Sequence, residues 1–187
     1  MTGHAFLSGD ACVTLASQSA VAVKALSLGV ARCITLSADA GATGWDSHVD
    51  NDKAQSPLWE GLFSDLDELM RLLKRTPGKS GRPLAEETTV VVVSEMGRTP
   101  GLNPLNGKDH WPYTSMLLVG SGLSGGRCIG GWDSRWYGRP VDAGSGEVSE
   151  AGVVLSAESI GATLLALADI DPAEFVTGVS PLSDLIA

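Results

Sequence analysis

Residues 88–95, TTVVVVSE, decide what fold to expect of this chain. The four successive valines show no alternation of apolar and polar residues. Such a run marks a strand covered on both faces, as in the centre of a parallel sheet with helices above and below it. Working outward, residues 113–120, YTSMLLVG, read as a second buried strand, and residues 31–38, ARCITLSA, as a third around Cys33 to Leu36. The glycine-bounded GGRCIGGWDS of 125–134 adds a short strand nearer an edge.

Helices alternate with these strands. Ala16, Ala20, Val23 and Leu26 recur near helical spacing over about 13–28, and Gly29 stands where a helix commonly ends. Over about 57–75, Ser56 is placed to cap a helix with Pro57 in its first position. Leu58, Leu62, Leu66, Leu69 and Leu73 form its stripe, and Lys74, Arg75, Pro77 and Gly78 mark its stop. A last helix starts at Ser156, continues through Ile160, Leu164 and Leu167, and ends near Asp169. This order predicts one α/β domain over residues 1–187, a three-layer sandwich around a mainly parallel central sheet.

Composition narrows the functions. The hydrophobic content of 43% fits a globular chain, and no stretch approaches the roughly 18 apolar residues of a bilayer span, so no membrane insertion is expected. A net charge of −9, without a basic stripe, argues against nucleic acid as a partner. Cys12, Cys33 and Cys128 have no metal-ligand spacing and read as buried free thiols. The start, MTGHAFLSGDAC, has neither the basic nor the apolar region of an export signal.

Ligands of open α/β sheets bind beyond the carboxyl ends of the strands. Polar residues gather at those places here. Asp46 and His48 follow the strand at 31–38, Glu95 and Arg98 follow the valine strand, and Lys108, Asp109 and His110 precede the next. Two carboxylates about 4 Å apart repel by roughly 4 kcal/mol at an effective dielectric near 20, so such a cluster calls for protonation, a basic partner or a metal. Mixed Asp, Glu and His donors suit zinc or manganese better than calcium. Arg98 and Lys108 would then face a small anionic substrate. A plainer reading stands beside this one. Asp46 and His48 can belong to a side-chain-stabilised turn, Glu95 can pair with Arg98, Asp109 and His110 can bond within their own loop, and Trp45 and Trp111 can be loop anchors.

The motifs GWDSH (44–48), TTVVVVSEMGRTP (88–100), NGKDHWP (106–112) and SMLLVGSGLSGGRCIG (115–130) together resemble the domain-of-unknown-function 1501 family, within the alkaline phosphatase and sulfatase superfamily. The resemblance runs from about Arg32 to Pro172 and includes LSAESIGATLLALADIDP near the end. It implies an incomplete alkaline phosphatase-like domain representing the carboxyl-terminal half, and a metal-dependent hydrolase of phosphate or sulfate esters. Asp46, His48, Glu95 and His110 stand where the superfamily's metal ligands would be, with Asp109 as the orienting partner of His110 or a further ligand. Met96 occupies the place of a superfamily histidine. The nucleophile would lie in an amino-terminal half, since Cys12, Thr14 and Ser17 lack the strand-nucleophile-helix context. The resemblance thus points to a missing half or a partner chain, and to export to the periplasm. The alternative is a binding or assembly module that keeps the fold without catalysis.

Overall fold

The computed structural model describes residues 14–38 and 44–187. Cys12 and the stretch read for an export signal lie outside them. The chain divides into two compact units, one of residues as far as Leu84 with Leu105–Gly107, the other of Ala85–Pro104 with Lys108–Ala187.

In the first unit α1 (Leu15–Leu28) packs on α2 (Asn51–Arg75). Thr14 caps α1 by accepting the Ser17 amide at 3.2 Å, and Gly29, at φ 62°, closes it. Ser19, Ala22 and Val23 are the buried residues of α1, at the three- and four-residue spacing of a single helix face. Leu73 of α2 is 1% exposed. The start of α2 differs from the predicted 57. Asp50, at φ 46°, precedes the first turn, so Pro57 lies inside the helix, where its missing N–H leaves the Lys53 carbonyl without an i+4 partner.

Residues 31–38 belong to no ladder. Their hydrogen bonding is met in part by a side chain: the Gln18 amide donates to the Ser37 carbonyl at 2.9 Å and accepts the Ser37 N–H at 2.9 Å. A primary amide offers the donor and acceptor that a neighbouring strand would, but for one residue only.

In the second unit β1 (Thr89–Val92) pairs antiparallel with β4 (Leu117–Gly120), setting Val92 opposite Leu117, and β2 (Gly97–Arg98) pairs antiparallel with β3 (His110–Trp111). Among the described residues there are three α-helices and these two antiparallel ribbons, so the expected three-layer, mainly parallel, alkaline phosphatase-like sandwich is overturned. The physical reason lies in the connection. A parallel pairing needs a long crossover, usually helical, whereas residues 93–116 contain no helix and bring the chain back alongside β1. The valine run reports burial and is silent about direction, and even that burial is partial: β1 is half-buried and Val93 is exposed. The strand expected within 125–134 is likewise absent, and Trp132 makes only an isolated bridge to Gly138.

The last predicted helix is present as α3 (Ala157–Leu167), with Ser156 and Ser159 forming a reciprocal capping box. Its buried Ala162 and Thr163, with Val141 and Leu182, form the core of this unit. The Thr163 hydroxyl donates to Ser159 O at 2.7 Å and accepts the Leu182 amide at 2.9 Å. Cys33 and Cys128 are exposed, against the expectation of burial. Among the described residues no helix is long and apolar enough to cross a membrane.

Candidate functional site

The loop after residue 44 is fixed from several sides. The Trp45 indole donates to Ala38 O at 2.6 Å, and its ring meets Trp59 edge-on at 5.2 Å. Gln55 donates to Trp45 O and to the hydroxyl of Ser47, which is fully buried. Between these anchors, Asp46 Oδ1 accepts the His48 amide at 3.0 Å and also bonds Nδ1 of the His48 ring. A carboxylate on Nδ1 draws the hydrogen of a neutral imidazole to that nitrogen and leaves the lone pair on Nε2.

The backbone part of this arrangement is ordinary, as the chain itself demonstrates. Gly-Trp-Asp-Ser occurs twice, at 44–47 and 131–134, and Asp133 Oδ1 likewise accepts the amide two residues on, that of Arg135, at 2.8 Å. The turn therefore follows from Asp-Ser-X. The second donor on that oxygen differs: an imidazole at Asp46, and the Tyr137 amide at 2.9 Å at Asp133.

Residues 105–107 hold the far side of this loop. Val49 bridges Asn106, the Asp50 amide donates to Leu105 O at 3.1 Å, and the Asn51 amide donates to Asn106 O at 2.9 Å. Gly107 is buried, and a Cβ on it would lie 1.9 Å from the His48 carbonyl oxygen, so the backbones meet where no side chain fits.

In the second unit, Glu95 lies just beyond β1 and is exposed, with the Ser94 hydroxyl 3.2 Å from its Oε2. Pairing of β2 with β3 places Arg98 directly opposite His110. Opposite residues share a face with Cβ atoms about 4.5–5.5 Å apart. Arg98 Nη1 donates to Lys108 O at 3.2 Å, the Thr99 amide donates to Asp109 O at 2.9 Å, and the Asp109 amide donates to the Thr99 hydroxyl at 3.1 Å. Asn103 donates to Asp109 Oδ1 at 3.1 Å. The carboxylate of Asp109 is thus engaged within its own loop. Gly97 admits this geometry because a Cβ there would lie 1.8 Å from Tyr113 O.

Of the predicted site residues, Asp46 and His48 are brought together in the first unit, and Arg98, Lys108, Asp109 and His110 around one ribbon in the second. Among the described residues, no three His, Cys, Asp or Glu side chains are grouped as metal ligands.

One group of residues has no counterpart in the sequence reading. Trp111 stacks on Tyr137 at 5.5 Å and 4°, Tyr113 meets Trp132 edge-on at 6.0 Å, and the Trp111 indole donates to Trp136 O at 3.3 Å. The signal was density: three of the chain's seven Trp and Tyr residues fall within 132–137.

An acidic chain with an oriented Asp–His pair on one loop and facing Arg and His residues on a short antiparallel ribbon is the class of protein defined here. The family model described as "Protein of unknown function (DUF1501)" matches residues 10–181, and the chain belongs to that family. No curated protein and no solved structure matches it.

Proposed function

We propose that the chain is part of a divalent-metal-dependent hydrolase of phosphate or sulfate esters, kin to the alkaline phosphatase and sulfatase superfamily by its motifs. The observation that carries this reading is the Asp46 carboxylate on Nδ1 of His48, the support a metal-binding imidazole usually has.

The donor types suit zinc or manganese in each unit taken by itself: in the first, His48 Nε2 would supply nitrogen, with Asp46 orienting the ring or adding an oxygen; in the second, His110 would supply nitrogen and Glu95 and Asp109 oxygen. When bound, such an ion polarises an ester oxygen and activates a nucleophile. The chain's own part is to bind and orient. Arg98, steadied by the Lys108 carbonyl, presents a planar guanidinium to two oxygens of an anionic ester, and the Lys108 ammonium adds a point charge. The nucleophile is assigned to a segment or partner chain beyond these residues.

Elemental mass spectrometry of the purified chain, beside His48→Ala and His110→Ala variants, tests this. Near-stoichiometric zinc or manganese in the parent, and its loss when the histidine that holds it is replaced, is the expected result. Asp46→Asn should weaken metal affinity by about 10- to 100-fold. A parent that retains no metal after equilibration with zinc and manganese refutes the reading.

A binding or assembly module is the second reading, favoured by the exposed aromatic hairpin of the second unit, which the hydrolase reading does not use.

A further inference from the structure

We propose that the hairpin at 131–139, together with Trp111, is a platform that binds a neutral oligosaccharide through its aromatic faces. The inference is independent of the metal reading. Trp132, Trp136 and Tyr137 are 44%, 56% and 43% exposed, a concentration of open ring surface in six residues that the fold of this unit leaves uncovered.

The hairpin backbone is pinned, and two of these rings are set against neighbouring rings. Asp133 Oδ1 accepts the Arg135 and Tyr137 amides at 2.8 and 2.9 Å, and the Asp133 amide donates to Tyr137 O at 2.9 Å. Tyr137 is stacked on Trp111, and Trp132 is set against Tyr113. Trp136 sits at φ 65°, a left-handed conformation that a bulky residue rarely adopts, and the turn is clamped by its carbonyl, which accepts the Trp111 indole. Preorganised rings lose little freedom when a ligand arrives.

Charge selects the occupant. The aromatic residues are interleaved with Asp133 and Arg135, and flanked by Arg139, whose guanidinium lies 2.5 Å from Glu150. Around the hairpin itself these two positive and two negative groups balance, so neither a cation nor an anion finds an excess of opposite charge there. The π-face of a ring carries partial negative charge, which the C–H face of a sugar complements, and the hydroxyls find donors and acceptors of both signs around it. The rings of Trp111, Tyr113, Trp132 and Tyr137 contact one another at 5.5–6.5 Å, too close for a cation to sit between them as in an aromatic cage.

The test is calorimetric titration of the whole chain with cellohexaose, laminarihexaose, maltohexaose, mannohexaose and chitohexaose, alongside Trp136→Ala, Trp136→Leu and, in the first unit, Trp59→Ala. Circular dichroism checks that each variant is folded. At least one sugar should bind the parent and the Trp59 variant equally, and both Trp136 variants about tenfold more weakly. No binding of any of the five sugars overturns the proposal. So does undiminished binding by Trp136→Leu, since leucine keeps an apolar surface without a π-face. Sedimentation showing that Trp136 is instead buried in a dimer of the chain overturns it in favour of a second copy.

Discussion

Replacing Gly107 by alanine should damage the first unit out of proportion to the single methyl added. The new Cβ would lie 1.9 Å from His48 O, 2.0 Å from His48 C and 2.5 Å from Val49 N, all backbone atoms that no rotamer change can move aside. The segments must separate, and the bonds between them are the Asp50 and Asn51 amides on Leu105 O and Asn106 O, at 3.1 and 2.9 Å. Losing two backbone hydrogen bonds at about 0.5–1 kcal/mol each, with overpacking strain of about 1–2 kcal/mol, gives a local destabilisation of about 2–4 kcal/mol. Hydrogen exchange read at the Asp50 and Asn51 amides is the assay, because it reports local opening. The expected acceleration is about 30-fold or more. Gly101→Ala, where a Cβ would meet nothing within 4 Å, is the control and should leave those amides unchanged. Equal exchange in the two variants would refute the close approach and remove the support it gives to the Asp46–His48 loop.

Other outcomes follow from the same geometry. Thr163→Val deletes a buried hydroxyl that serves Ser159 O and the Leu182 amide, and should lower the urea midpoint by an amount equivalent to about 1–3 kcal/mol; an unchanged midpoint contradicts the bonding described. Leu73→Ala, at a side chain 1% exposed, should cost about 2–5 kcal/mol in the same assay, and a cost near zero would place Leu73 outside the core. Asp133 is held below the ordinary carboxyl range chiefly by the Tyr137 amide, with further help from the Arg135 amide, and Asp142 chiefly by the Ser145 hydroxyl and then the Ser145 and Gly144 amides. A depressed folded value stabilises above the unfolded pKa and stops doing so as pH falls through the folded one, so protection of the Tyr137 and Ser145 amides should decline below about pH 4; protection that holds or rises there is the contrary result.

What could be read from the sequence and what could not divide along physical lines. The helices α1 and α3 were legible because Gly29 and Ser156, which mark an end of each, act within a turn of their own positions, whereas the Thr14 cap of α1 was not read. The start of α2 was misplaced for the same reason, since Ser56 followed by Pro57 satisfies a local rule that six further helical residues, 51–56, override. The sheet was not legible. Pairing direction is decided by the route of the 93–116 connection, a non-local property on which four valines carry no information.

The candidate site mixes both kinds of information. Asp-Ser-X builds the same turn at Asp46 and at Asp133, so the turn could be read from three letters, and finding it discriminates nothing about function. The next residue makes the difference: His48 brings a ring nitrogen onto the carboxylate, whereas Arg135 has no imidazole to place there. In both copies the turn carboxylate holds a second donor on the same oxygen, the His48 ring at Asp46 and the Tyr137 amide at Asp133. On the proposed metal reading an imidazole held by its Nδ1 would present Nε2 to the ion, and this is why the variants of His48 and Asp46 test function more directly than any change to the glycine or tryptophan that the two copies share.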